Sequence, residues 1–294
     1  MKAAFIGCVD FSHAMLSHLL TLPGMDVVGV VTRRQSAFNA DFHSLEDVAQ
    51  AGGIPCFFAE GNEQGAMVEA IRSWAPDVVF CLGWSYLLRS EILALPRFGV
   101  IGYHPALLPR NRGRHPIIWA LALGLAETGS TFFVMDEGAD SGDIVSQERV
   151  AIDDEDDAAS LYAKVILTGR GQLTDIVEAL NEGRLERHPQ DHDRATYWRK
   201  RGRADGQIDW RMSAVSIRNL VRSLARPYVG AHCVRKGEDI KIWKVETVTV
   251  SVSDIEPGRV LSVEAGLPVV KCADGAVRLV EHEFSELLEP GECL

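Results

Sequence analysis

The sequence predicts an α/β protein: a Rossmann-like, doubly wound, mostly parallel sheet in the N-terminal domain, followed by a small β-rich, barrel-like C-terminal domain. Three observations predict it. Short β-rich runs alternate with helical patterns through roughly the first hundred residues. A polar stretch rich in His and Arg, without apolar periodicity, occupies 183–206. Beyond it come short alternating runs separated by glycine turns, the pattern of a small barrel or open sandwich. A chain of 294 residues accommodates two unequal units, since domains usually hold ~100 to 200 residues. The expected division is a catalytic domain at 1–182, a linker at 183–206 and a small domain at 207–294.

In chain order, strands are expected at 3–6, 27–32, 55–58, 78–82 and 100–103, each but the last followed by a helix, at 12–22, 44–51, 64–74 and 90–95. The first turn, Gly7 to Asp10, carries one glycine and lacks the GxGxxG spacing, which argues against a dinucleotide cofactor. Ligands in such sheets lie beyond the carboxyl ends of the strands, so chemistry is expected just after Leu82 and Tyr103. A helix at 116–124, strands at 131–135 and 143–150, and a long helix at 157–180 complete this domain. The acidic run 153–157 stands at the start of that helix, where the macrodipole favours negative charge. In the small domain a helix is expected at 213–224 and strands at 231–234, 240–245, 247–252, 259–263, 268–271 and 277–280.

A composition of 47% hydrophobic and 24% charged residues is that of an ordinary globular protein. The net charge of -11 argues against a protein devoted to gripping a phosphate backbone, which requires clustered Lys and Arg. Six scattered cysteines, with no CxxC pair and no metal-ligand rhythm, read as free thiols in a reducing compartment, and no metal is expected. The apolar run after Lys2 is too short for a signal peptide and no run approaches ~18 apolar residues, so a cytoplasmic, non-membrane protein is expected.

Special residues concentrate in two places. The first is 102–116, immediately after a central strand, with three prolines that stiffen the loop. The second is 135–143, whose glycines let backbone amides approach a ligand closely.

The stretch 78–147 resembles the folate-dependent formyltransferase family. The residues that carry the likeness are His104-Pro105-Ala106-Leu107-Leu108-Pro109, Arg112-Gly113, Thr128-Gly129 and Asp140-Ser141-Gly142-Asp143, with Asp140 36 positions after His104. Weaker similarity extends through the linker into 205–210 and 226–230. The family includes methionyl-tRNA, glycinamide ribonucleotide and amino-sugar formyltransferases. The resemblance implies a catalytic Asn, His and Asp, which makes His104 and Asp140 the candidate catalytic pair; formyl transfer to an amine needs a donor for the developing oxyanion, which His104 can be, and a base for the amine proton, which Asp140 can be if it lies close enough to hold the imidazole's tautomer. Gly102 stands where Asn is expected, so a side-chain donor is missing. A backbone amide near Gly102, the Tyr103 hydroxyl, a water or His115 are the alternatives for its replacement.

The resemblance further implies N10-formyltetrahydrofolate as co-substrate. Its pterin would be cradled by Trp84, Tyr86, Leu87 and Leu88 and by Met135, Asp136, Gly138 and Asp140, largely through backbone groups. The acceptor would meet Tyr103, Pro105, Arg112 and His115, while Arg110, Arg112 and Arg114 are candidates for holding the folate glutamate or a substrate phosphate, or, for one of them, for bracing the loop. The run 112–120 looks closest to the amino-sugar enzymes of surface-polysaccharide pathways, and the acidic balance weighs against tRNA. The expected acceptor is therefore the amine of a nucleotide-linked sugar. Formylation of initiator tRNA, hydrolysis of formyl-folate and non-catalytic folate or sugar binding are the alternatives, and a homodimer is an assembly the resemblance allows.

Overall fold

A computed structural model describes residues 1–36, 40–62, 64–252 and 254–294. The chain forms two compact units, one of residues 1–116, 128–150 and 163–198, the other of residues 117–127, 151–162 and 199–294.

The first unit is built on a seven-stranded sheet. Its strands are β1 (Lys2–Ile6), β2 (Asp26–Thr32), β3 (Cys56–Phe58), β4 (Val78–Cys81), β5 (Val100–His104), β7 (Glu127–Val134) and β8 (Ile144–Ala151), in the order β3-β2-β1-β4-β5-β7-β8. The pairs from β3 through β5 are parallel and β5 pairs β7 antiparallel. Helices α1 (Asp10–Leu19), α2 (Glu46–Ala51), α3 (Gly65–Trp74) and α4 (Ser90–Leu93) connect the parallel strands. Strands covered on both faces read as continuous apolar runs, and Ala3, Ala4, Phe5, Ile6, Val78, Val79 and Phe80 are all fully buried. On one face Ala4, Ile6, Val31, Val79 and Val100 form a core with Met67, Ile71 and Ile92 of the helices. The strand order reverses between β1 and β4, which puts the crevice of an open α/β sheet at the carboxyl ends of the central strands. A two-residue strand β6 (Arg112–Gly113) pairs in parallel with β9 (Tyr197–Trp198), and the long helix α6 (Ala158–Asn181) lies between β8 and β9 in sequence.

The second unit contains α5 (Pro116–Ala122), α7 (Ala214–Ser223) and an antiparallel sheet of β10 (Ala231–Arg235), β11 (Glu238–Val248), β12 (Val260–Glu264), β13 (Leu267–Lys271) and β14 (Ala276–His282), ordered β10-β11-β14-β13-β12. Ser213 caps α7 by accepting the Ser216 N–H at 3.0 Å. Ile217, Leu220 and Val221 of that helix pack with Ala231, Cys233, Val270, Val277 and Leu279. The strand expected at 240–245 runs on without a break through Glu246 to Val248, and 249–252 lies outside it; the register shifts against β14 fall earlier, between Ile242 and Val245.

The acidic run is a cap: Asp156 accepts from the Asp153 N–H at 2.7 Å and Asp157 from the Ser160 N–H at 2.9 Å. All six cysteines are free thiols. Among the described residues no helix is long and apolar enough to cross a membrane.

Candidate active site

β5 delivers His104 to the carboxyl end of the sheet, where it is 4% exposed. Its Nε2 lies 2.7 Å from the carbonyl oxygen of Asn111. A carbonyl only accepts, so Nε2 carries the proton. Nδ1 then faces Asp140, whose Oδ2 is 3.5 Å away. The same Oδ2 accepts the Gly113 backbone N–H at 2.8 Å. His104 thus stands between two acceptors, the Asn111 carbonyl and the Asp140 carboxylate.

The loops that hold this pair are constrained. Asn111, His115 and Asp140 all adopt left-handed backbone conformations, with φ of 63°, 57° and 54°, and non-glycine residues held there cluster at functional sites. Gly113, at φ 105°, approaches the Trp198 carbonyl so closely that a Cβ would lie 2.3 Å from its oxygen. That approach is the β6–β9 pairing, and it aims the Gly113 N–H at Asp140. Asn111 is fixed by its N–H on Thr196 Oγ1 at 2.8 Å. The carbonyls of Pro105 and Ala106 accept from Thr128 and Thr131, and that of Leu108 from Gln147, so the loop after His104 is tied down along its length.

Gly102 shares a face of β5 with His104, because side chains alternate along a strand. A Cβ on Gly102 would lie 2.7 Å from Met135 Cγ and 3.1 Å from Phe133 Cζ. Met135 therefore occupies the space an asparagine side chain would need. Tyr103 is turned to the opposite face. Its ring stacks on Phe11 at 4.1 Å, its hydroxyl bonds Ser130 Oγ at 2.8 Å, and burial pushes its phenol well up. The alternation that puts Gly102 and His104 together removes Tyr103 both from acceptor binding and from the candidates for the missing donor.

Arg112 also departs from its expected role. It is 1% exposed, and its guanidinium donates to Gln190 Oε1 from Nε at 3.2 Å and Nη2 at 2.7 Å, and to the Tyr197 hydroxyl from Nη1 at 2.9 Å. With these donors engaged inside the unit, Arg112 braces the loop instead of offering itself to an anion. Arg114 donates to the Ser85 carbonyl at 2.9 Å, and Arg110 is exposed. Gln190, Thr196, Tyr197 and Trp198 all come from the polar stretch expected as linker, and no sequence period marks them.

Beyond β4, the rings of Trp84 and Tyr86 lie 6.2 Å apart with the Arg33 guanidinium over both, at 4.8 and 4.7 Å. Trp84 and Met135 are partly buried against the same core, and the Trp84 Nε1 is buried without a hydrogen bond. Leu87 is exposed while Leu88 is core. Gln64 holds this turn from below, donating to the Leu87 carbonyl at 2.8 Å and accepting the Arg89 N–H at 2.9 Å. In the loop after β7, Asp136 accepts from the Gly138 N–H and the Ser141 hydroxyl, and Asp136 and Gly138 are exposed. Pro105 and His115 are half-buried in the loop that follows His104.

Elsewhere in the unit, His13, His43 and Asp47 bring three ligand-type atoms within 4.8 Å. The two rings stack at 4.1 Å, His43 Nδ1 lies 2.8 Å from Asp10 Oδ1 and His13 Nε2 lies 3.4 Å from Asp47 Oδ2.

Residues 1–176 match the family model for formyl transferase, and residues 201–287 that for the formyl transferase C-terminal domain. The chain is 34% identical over 286 residues to a methionyl-tRNA formyltransferase of Caldanaerobacter subterraneus subsp. tengcongensis, covering 96% of this chain and 91% of that protein. The fold is similar to that of an N-formyltransferase from Helicobacter canadensis, solved with folinic acid and dTDP-3-aminofucose, at a TM-score of 0.71 and 16% identity, covering 96% of this chain and 99% of the other. It is also similar to HypX from Aquifex aeolicus, at a TM-score of 0.68 and 16% identity; there 97% of this chain matches 45% of that one.

Proposed function

Because the chain belongs to the formyl transferase family, we propose that it passes the formyl group of N10-formyltetrahydrofolate to the amine of a nucleotide-linked amino sugar. The observation that carries the chemistry is the His104–Asp140 pair with the Gly113 N–H behind its carboxylate. As the amine attacks the formyl carbon, negative charge develops on the formyl oxygen and the amine must shed a proton. His104 gives its Nε2–H to that oxygen, exchanging the Asn111 carbonyl for it. Asp140 holds the imidazole and receives the proton from the attacking amine; as the tetrahedral intermediate collapses, the bond from the formyl carbon to folate N10 breaks and N10 takes up that proton. Met135 fills the place of the family's asparagine, so the second donor to the oxyanion is a backbone N–H or a water.

The folate is taken up at the carboxyl ends of β4 and β5. Trp84 and Tyr86 offer aromatic surface there, the buried Trp84 N–H is a donor awaiting an acceptor, and the exposed loop 136–138 presents backbone groups. That inventory suits a flat heteroaromatic ring rich in acceptors.

The small acceptor is favoured by the charge of -11 and by the state of the most basic run of the sequence. Arg199 is paired with Asp205 and Arg203 with Asp239, while Arg201 donates to the Asp205 carbonyl and lies over Trp119 at 4.5 Å. A run so engaged offers little to a phosphate backbone. The second reading, initiator tRNA as acceptor, is favoured by the 34% identity along almost the whole length of a methionyl-tRNA formyltransferase. Measuring kcat/KM for a panel of nucleotide-linked amino sugars beside charged initiator tRNA separates the two. The proposal expects turnover on a sugar and none on tRNA; the reverse would transfer the assignment.

A further inference from the structure

We propose that Gln190 is a positioning residue for this reaction: its carboxamide holds the backbone of the Asp140 turn so that the carboxylate points at His104. The inference rests on the formyl-transfer reading for its kinetic arm only.

Gln190 is 6% exposed, and all four hydrogen-bonding capacities of its amide are in use. Nε2 donates to the Asp140 carbonyl at 3.0 Å and to the Gly142 carbonyl at 2.6 Å. Oε1 accepts from Arg112 Nε at 3.2 Å and Nη2 at 2.7 Å. The partners fix which end is which, since carbonyls only accept and a guanidinium only donates. Arg112 sits between Asn111, whose carbonyl holds His104 Nε2, and Gly113, whose N–H holds Asp140 Oδ2. Asp140 backbone, Gln190, Arg112, the Gly113 N–H and the Asp140 carboxylate therefore close into one ring of contacts.

That ring has a mechanical purpose. Asp140 is a non-glycine residue at φ 54°, a conformation the chain does not keep without restraint. Gln190 grips the carbonyls on both sides of Ser141, and Gly113 grips the carboxylate. Released from Gln190, the turn relaxes and the 3.5 Å approach of Asp140 to His104 is lost. Glutamine is the residue type that meets this demand, because it accepts from the arginine and donates to the carbonyls at once. Glutamate has the same shape, but it would set a carboxylate oxygen against two carbonyl oxygens while keeping the arginine satisfied.

The test is Gln190→Glu, in wild type and in Asp140→Asn. If Gln190 acts through Asp140, the single change lowers kcat/KM by about 30- to 300-fold, and adding it to Asp140→Asn lowers it less than about threefold further. Hydrogen–deuterium exchange, which needs no acceptor, should show amides of 136–143 exchanging at least about tenfold faster, with β1 and β13 unchanged. Gln190→Asn keeps the donor and acceptor but lacks one methylene; it serves where the glutamate variant fails to fold and should fall between it and wild type. Independent, multiplicative losses with Asp140→Asn, or unchanged exchange at 136–143, would overturn the proposal. A wild-type protein inert with every acceptor would defeat the transfer reading and leave the exchange result to decide this one.

Discussion

Replacing Asp140 by asparagine isolates the charge of the pair from its shape. The carboxamide oxygen can still accept the Gly113 N–H, so the turn keeps its anchor. What changes is the partner offered to His104. The oxygen kept on the Gly113 N–H is also the atom that faces Nδ1, so the contact stays while its negative charge is lost. The magnitude follows from the geometry. At 3.5 Å and an effective dielectric of about 20, opposite unit charges attract by about 5 kcal/mol. The Asp140 side chain is 20% exposed, which reduces this to about 3 to 4 kcal/mol, or two to three orders of magnitude in rate. The assay follows folate deformylation and acceptor mass together under saturating substrates, with thermal unfolding alongside. Asp140→Asn should lose about 100- to 1,000-fold in kcat while its melting temperature moves by less than about 3 °C. A variant within threefold of wild type would refute the reasoning, because the oxyanion and the amine proton would then be managed elsewhere.

Three further outcomes are expected. Gly113→Ala forces a side chain into φ 105° and against the Trp198 carbonyl, and it should cost at least about 3 kcal/mol in unfolding free energy and abolish turnover, read by denaturant titration and the transfer assay. Gly102→Asn should not raise activity. It collides with Met135 and should cost about 1 to 3 kcal/mol, and the double variant with Met135→Ala should recover part of that stability in thermal melts. Asp205 is held well below the usual carboxylate range, first by the Arg199 side chain and then by the Gly202 N–H. A depressed carboxyl stabilises above its unfolded value and loses that contribution as pH falls. The second unit should therefore weaken below about pH 4, and Asp205→Asn should flatten that slope in pH-dependent melts, by a modest amount because its main partner, Arg199, is exposed.

The parallel core was legible because strands covered on both faces have no polar alternative: the runs ending at Ile6, Thr32 and Phe58 are also the ends of β1, β2 and β3. That His104 and Asp140 meet, at 3.5 Å, was legible because the family pattern spaces the two residues. The face of Tyr103 could have been read too, since period-two alternation puts it opposite its neighbours Gly102 and His104. Other features left no trace. β6 and β9 are two residues each and pair through backbone groups that composition does not encode. Arg110, Arg112 and Arg114 look alike in the loop; only the fold buries the middle one. Gln190 lies in a polar stretch without period, and its importance comes from three partners more than forty positions away in sequence. The strand break expected at Glu246 is absent: Glu246 pairs with Arg278 in regular register, and the bulge lies earlier, between Ile242 and Val245.

The central claim is that this site moves a formyl carbon from folate to an amine, and the most direct test follows that carbon. Protein incubated with N10-formyltetrahydrofolate carrying a 13C formyl group and a nucleotide-linked 4-amino-4,6-dideoxyhexose should yield a labelled formamide on the sugar, mole for mole with deformylated folate, both formed about 100- to 1,000-fold more slowly when Asp140 is asparagine. Label recovered as formate at the same rate with or without the amine would contradict the account and make the protein a hydrolase.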